Sequence, residues 1–203
     1  PPSWLQRFHP DWVIHAHGSL PGMPPNEIGT VNFGVPAARE TMTDYIASAV
    51  SEWGLDTFRF EGGCMWGEPG ARTVPLDGNA SCRWIWQAAD NDSAAASGVS
   101  PRWGTSEAGH IGGFLRFLDS VVERHPGLAL DSVAGGGLRL EMEMASRAIN
   151  KWRSDSLSGP PDPHDPHRFD ARSQVTITGL SHYFPLHASS CWSPTPYSWR
   201  SAA

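Results

Sequence analysis

The sequence predicts an α/β fold of parallel βαβ units, and within that class an incomplete (β/α)8 TIM barrel. Three observations carry the expectation. Strand-like and helix-like stretches alternate along most of the chain, the order that parallel βαβ units produce. About five strands are legible, where a closed barrel needs eight and typically about 250 residues, and this chain has 203. Finally, Glu61, Asp131 and Asp155 each stand where a strand hands over to its loop, the catalytic face of such a barrel. A doubly wound sheet accounts for the alternation equally well; the placement of the acids favours the barrel.

The elements follow in order. Residues 29–33 form a short β-like run. A helix is expected over 36–53, with Pro36 in its first turn and Met42, Tyr45, Ile46, Ala49 and Val50 at helical apolar spacing. Gly54 ends it. Residues 55–60 read as a buried strand stopping at Glu61-Gly62-Gly63. The stretch 64–106 is rich in Gly, Pro, Asp, Asn, Ser and Ala, a length of loop that compact domains rarely carry without a role for it. Residues 107–124 read as an amphipathic helix with Ile111, Phe114, Leu115, Leu118 and Val122 on its apolar face. After the His125-Pro126-Gly127 turn come a strand at 128–131, a tight loop at 134–137 and a helix-like stretch over 138–148. A strand is expected at 149–154, a Pro/Asp/His loop over 156–170, a short helix around 172–179 and a strand around 182–186.

Composition narrows the function classes. Net charge is −6 and basic residues are not clustered, the opposite of what a phosphate-tracking surface needs, so nucleic acid is not an expected partner. No apolar run approaches the roughly 20 residues that span a membrane. Lys151 is the sole lysine among many arginines, which reads as compositional bias. The ten tryptophans point towards carbohydrate, because sugars present flat C–H faces that stack on aromatic rings beside polar groups; core filling is the competing explanation. Cys64, Cys82 and Cys191 are an odd count with no metal spacing, and a Cys64–Cys82 disulfide is one option among several. The chain starts at Pro1 without an initiator Met, so its true N-terminus is expected to lie upstream.

Retaining cleavage of a glycosidic bond needs two carboxyl groups about 5–5.5 Å apart, one to attack the anomeric carbon and one to protonate the leaving oxygen. Glu61 and Asp155, at the ends of two strands, are the candidate pair. Helix capping, or pairing with Arg59, Arg139, Arg147 or Arg153, is the competing explanation for either acid. Gly135-Gly136-Gly137 lacks a GxGxxG or Walker pattern and reads as a tight turn or a close approach of backbone to a ligand. His15/His17 and His164/His167 lack a third ligand at a recognised spacing, so a solvated loop is the better reading than a metal site. No GxSxG elbow anchors a serine triad.

Residues 130–155, LDSVAGGGLRLEMEMASRAINKWRSD, resemble without a gap the stretch written approximately IDNCASGGRRIDLETLKRSVPLWRSD in bacterial α-galactosidases of glycoside hydrolase family 36. Other blocks follow in the family's order. His9-Pro10-Asp11-Trp12 is similar to its HPEW, residues 55–61 fall at its IDVYRQDFN, and 102–107 (RWGTSE) are similar to its RQGITE. Residues 179–187 look like its GLS…IPLHG, and 197–202 (YSWRSA) like its YxFRSA. The resemblance implies about strands 3 to 7 of a (β/α)8 barrel, residues 1–203 forming part of one catalytic domain. It implies double displacement on an α-galactoside or related oligosaccharide, with no metal or organic cofactor. By position, Glu61 takes the nucleophile's place and Asp155 that of the general acid/base. Arg59, Asp131, Gly136, Trp152 and Arg153 become the implied substrate-binding residues.

The chain departs from the pattern in places. The family's nucleophile is Asp, and Glu61 is followed by Gly62-Gly63 instead of Phe-Asn. The added methylene moves the carboxylate outward by about 1.3–1.5 Å on an unchanged backbone, and a misplacement near 1 Å can cost on the order of 10²-fold in rate. Val133, Leu138 and Glu141 stand where the family has cysteine, arginine and aspartate. Two alternatives follow: a catalytically impaired relative that still binds sugar, or a raffinose-synthase-like enzyme moving sugar to sugar on the same barrel. An isolated, open barrel segment is expected to be unstable and without turnover, because it exposes strand edges.

Overall fold

The computed structural model describes residues 3–16, 28–60, 104–133, 139–153, 162, 164–184, 187, 191 and 195–202. The chain divides into two compact units, one made of Pro1–Asp56 and Gly63–Leu128, the other of Thr57–Gly62 and Ala129–Ala203.

The first unit opens with α1 (Trp4–Phe8). Ser3 and Gln6 close it with a reciprocal pair: the Gln6 N–H donates to Ser3 Oγ at 3.2 Å and the Ser3 N–H to Gln6 Oε1 at 2.7 Å. A 3-10 turn over Pro10–Trp12 then leads into β1 (Val13–Ala16). This strand pairs antiparallel with β2 (Ile28–Val31), Val13 opposite Val31. The β-like run at 29–33 is therefore a strand, but its pairing corrects the expected parallel series. Parallel pairing requires a crossover of a dozen or more residues, usually helical. The Gly- and Pro-rich sequence at 17–27 has no helical pattern to supply one.

Helix α2 (Pro36–Trp53) has the expected bounds. Pro36 occupies the first turn, where its missing N–H costs nothing. Gly54 ends the helix at φ 64°, a left-handed conformation that glycine adopts without a Cβ penalty. The N–H groups of Gly54 and Leu55 both donate to the Val50 carbonyl. Helix α3 (Thr105–Arg124) packs against α2. Ala38, Thr43, Ala47 and Val50 are buried on α2, and Gly113, Phe117, Leu118 and Val121 on α3.

Both buried faces are rotated from the expected ones: Tyr45 is 63% and Ile111 51% exposed. The cause lies at Gly113, where an added Cβ would collide with the Phe33 carbonyl. That close approach turns the 113/117/121 row inward. It also sets Phe33 into a ring cluster with Phe114 and Phe117, centroids 5.3 and 4.7 Å away. His125, after α3, donates from Nε2 to the Ala47 carbonyl of α2 at 2.9 Å.

The second unit is built on a parallel sheet ordered β3 (Thr57–Phe60), β4 (Ala129–Ser132) and β5 (Asn150–Lys151). These are the expected strands at 55–60, 128–131 and 149–154, the last much shortened. Beyond the ladder, the N–H groups of Val133 and Trp152 donate to the carbonyls of Phe60 and Ser132 at 3.0 and 2.9 Å.

Two helical expectations and one strand need correction. Within the stretch 138–148 the described residues, 139–148, hold a single helical turn, α4 (Met142–Ala145). Glu141 starts it abruptly, its carboxylate accepting from the N–H groups of Glu143 and Met144 at 2.6 and 2.7 Å. Conversely, the short helix at 172–179 is the middle of α5 (Pro166–Ser181), because Pro166 serves as a first-turn residue, not a breaker. The strand expected at 182–186 is replaced at its start by a turn: the N–H groups of Tyr183 and Phe184 both return to the Leu180 carbonyl. Helix α6 (Pro196–Ala202) lies against α5, with Ser198 donating to Asp170 at 3.1 Å and Gln174 to Ser201 at 2.8 Å. No helix among the described residues is long and apolar enough to cross a membrane.

Candidate functional site

The parallel sheet lines up side chains strand by strand. Arg59 of β3 stands beside Asp131 of β4, and Asp131 beside Asn150 of β5. Residues in register on adjacent parallel strands share a face, and alternate residues along one strand share it too. Trp152 therefore falls on the same face as Asn150, and Arg59 reaches it.

The Arg59 guanidinium donates from Nη1 to Asp131 Oδ2 at 2.7 Å, and its Cζ lies 5.7 Å from the centre of the Trp152 ring. The Arg59 side chain is 50% exposed and that of Asp131 14%. Asp131 Oδ1 is shielded from solvent and has no hydrogen-bond partner among the described residues. A carboxylate oxygen left so costs roughly 1–3 kcal/mol, more for a charged group, unless something donates to it. Three of the expected site residues thus meet: a guanidinium with donors to spare, an unsatisfied acceptor and an indole face.

Arg153 does not join them. It is 5% exposed and points the other way along the alternation, with Lys151 (2% exposed) on the same side. Arg153 Nη1 donates to His187 Nδ1 at 2.9 Å, and His187 Nε2 lies 3.2 Å from Ser181 Oγ. Lys151 Nζ donates to the Ala148 carbonyl at 2.8 Å and sits 5.6 Å from the centre of the Phe184 ring. Burial lowers the Lys151 and Arg153 pKa values. Burial first, then the charges of Arg153 and Lys151, lowers that of His187. Sequence reasoning left Lys151 and His187 without a role. Nothing local marks either one, and only their tertiary neighbours do.

Glu61 directly follows Phe60 in the sequence, and Asp155 follows Arg153 by two residues. Both candidate catalytic carboxylates, together with Gly136, His17 and the Cys64–Cys82 pair, lie outside the described residues. Among the described residues no group of three or more His, Cys, Asp or Glu side chains is arranged to hold a metal. Cys191 is not in a disulfide.

Comparison with known proteins agrees with the resemblance. No family model matches the chain. It is 30% identical over 191 residues to an α-galactosidase of Escherichia coli, covering 91% of this chain and 20% of that protein. It is 24% identical over 192 residues to the α-galactosidase AgaA of Geobacillus stearothermophilus, covering 93% of this chain and 21% of AgaA. In fold, it matches the α-galactosidase of Lactobacillus brevis with a TM-score of 0.63 at 17% identity, covering 98% of this chain and 24% of that one. A variant of AgaA, a glycoside hydrolase family 36 enzyme crystallised with raffinose, matches with the same TM-score at 15% identity, with 98% and 24% covered.

Fold and sequence together define a glycosidase-like protein in which helices mix with a parallel sheet. More narrowly, the chain is similar to part of two α-galactosidases in sequence and to part of glycoside hydrolase family 36 α-galactosidases in fold. It spans about a fifth of the length of the curated relatives it matches.

Proposed function

We propose that the chain contributes part of a (β/α)8 barrel to a retaining α-galactosidase acting on terminal α-galactosides or related oligosaccharides. The observation that carries the reading is the Arg59–Asp131–Trp152 cluster. Hydroxyl groups of a sugar can accept from the exposed Arg59 N–H groups, which Asp131 holds in place, while a C–H face rests on the Trp152 indole. The raffinose held by AgaA is chemistry of this kind.

In the proposed reaction the Glu61 carboxylate attacks the anomeric carbon as Asp155 gives its proton to the glycosidic oxygen. The C–O bond to the leaving group breaks and a glycosyl ester forms on Glu61. Water then attacks the same carbon, Asp155 takes its proton, and Glu61 leaves as carboxylate. Two inversions retain the anomeric configuration.

The test uses the protein in the full length in which it is encoded. It is incubated with an aryl α-galactoside, and the intact mass is followed. Turnover with a glycosyl adduct on Glu61 is expected. Sugar binding without turnover or adduct would show instead an impaired relative, and recovery of hydrolysis by Glu61→Asp would trace the loss to side-chain length. Product formed only with an added acceptor sugar would mean transfer in place of hydrolysis. Absence of both turnover and galactoside binding would overturn the proposal.

A further inference from the structure

We infer that Asn150 is a further sugar-binding residue of the candidate site, its amide oxygen accepting the hydroxyl proton for which Arg59 and Asp131 offer no acceptor. The inference rests on the functional reading above and names the group that completes the hydrogen bonding of that site. Asn150 opens β5 in register with Asp131, which is itself in register with Arg59, so the three stand in one row across the sheet. Burial alternates along the strand and fixes the face. Asn150 is exposed and Trp152 half-buried, while Lys151 and Arg153 are buried on the other side. The Arg59 guanidinium reaches across β4 to within 5.7 Å of the centre of the Trp152 ring. Alternate residues of one strand lie about 6.6 Å apart. Arg59, Asn150 and Trp152 thus frame a patch on the scale of one sugar ring.

Each group in the patch has a restricted chemistry. Arginine carries donors only, and the indole adds a flat face and a single N–H donor. Asp131 Oδ2 is engaged by Arg59 at 2.7 Å, and Oδ1 is shielded from solvent. A sugar hydroxyl donates as well as accepts, and its proton, once withdrawn from water, needs an acceptor. Thr57 also carries an oxygen on this face, but it starts β3, two strands away from Trp152 and one step further from the Arg59 row. Among the described residues of the sheet, that leaves the exposed carboxamide of Asn150 as the acceptor beside both Trp152 and the Arg59 row.

The test uses the full-length protein with an aryl α-galactoside and the monodeoxy forms of its galactose ring. Affinity is read as KM beside kcat, and by calorimetry if turnover is absent. Asn150→Leu removes the acceptor at nearly constant size, whereas Asn150→Asp keeps an acceptor and removes both donors. Affinity is expected to fall about three- to ten-fold in Asn150→Leu, the scale of one hydrogen bond, with the thermal midpoint unchanged. Asn150→Asp should keep the affinity of the parent. One monodeoxy galactoside should bind the parent and Asn150→Leu equally well, because it lacks the hydroxyl that Asn150 reads; the others should still bind the variant more weakly. A purely structural role would weaken all of them alike. Parent-like affinity in Asn150→Leu, an equal loss in Asn150→Asp, or a uniform loss across the analogues would overturn the inference and leave the galactosidase reading standing. If the parent neither binds nor turns over any galactoside, that reading falls and the inference with it. Should Asn150→Leu fold poorly, Asn150→Ala, which also lacks the acceptor, is measured in its place.

Discussion

Arg59 and Asp131 share one short hydrogen bond, 2.7 Å from guanidinium to carboxylate, and that bond uses only one of the two carboxylate oxygens. A purely structural ion pair would tend to satisfy both. Arg59 is moreover half exposed, and an exposed pair contributes about 1 kcal/mol or less to stability. The exposed guanidinium, held in place by Asp131, is accordingly better suited to meeting a polar ligand than to holding the fold.

Asp131→Asn keeps the shape of the side chain while removing its charge. The expected outcome is weaker galactoside binding, with KM rising by about ten- to a hundred-fold, the scale of weakening the charge-assisted hydrogen bond that holds Arg59, about 1.5–3 kcal/mol. Stability should change little by comparison. Chemical denaturation and initial-rate kinetics on the same preparation separate the two effects. A large loss of stability with KM unmoved would show that Asp131 serves the fold instead.

Trp152 is expected to act through its ring. Trp152→Phe keeps a flat apolar face, whereas Trp152→Ala removes both that face and the cation–π contact with Arg59, worth about 0.5–1 kcal/mol at an exposed site. Sugar affinity, measured by calorimetry, should fall modestly in the first variant and much further in the second. Equal affinities in the two variants would exclude stacking as the role of the indole.

Neighbouring glycines of α3 should respond in opposite directions to alanine. At Gly112 an added Cβ meets the mobile end of the Arg116 side chain at 3.5 Å, ordinary contact, so Gly112→Ala should stabilise by roughly the helix-propensity gain of 0.8–1.0 kcal/mol. At Gly113 the same Cβ strikes the Phe33 carbonyl, which is backbone and cannot swing away. Gly113→Ala should therefore destabilise, by about 1–3 kcal/mol as overpacking does. Thermal melts of the two variants check the contrast, and a stabilised Gly113→Ala would show that the approach of Phe33 to α3 is wrong.

Local signals made some of this structure readable and tertiary contacts hid the rest. The bounds of α2 are legible because Pro36 and Gly54 act within one turn of themselves. The parallel strands are legible as apolar runs stopping at polar residues. The inward faces of α2 and α3 are not, because Gly113 and Phe33 set them from opposite ends of a long sequence separation. Pro166 reads as part of a loop in a Pro/Asp/His stretch, yet at the first turn of α5 it favours helix. For the site, Arg59, Asp131 and Trp152 are singled out by the family resemblance, and their convergence follows from strand register. Arg153 carries the same resemblance but lies on the opposite face, a consequence of one-residue alternation that only the register of β5 decides.

Lys151 offers the last prediction, and the sign of its pH dependence is fixed by its surroundings. It is the sole lysine of the 203 residues and only 2% exposed. Burial holds its folded pKa below the ordinary 10.5, since its partners, two backbone carbonyls and an aromatic ring, do not offset the lost hydration of a full charge. Between the folded and the unfolded pKa the unfolded chain binds more protons, so stability contributed through this group rises with pH across that window. Below the window both states are charged and the burial cost is felt in full. Other groups titrate at alkaline pH too, so the quantity to measure is the stability of the parent minus that of Lys151→Met. That difference should increase towards the parent as pH approaches 10.5 from below. Amine acetylation followed by mass spectrometry gives an independent check: Lys151 should label slowly in the folded protein and rapidly once denaturant opens the sheet. Rapid labelling without denaturant, or a stability difference that falls as pH rises, would place the Lys151 amine in water and not beneath the strand ends.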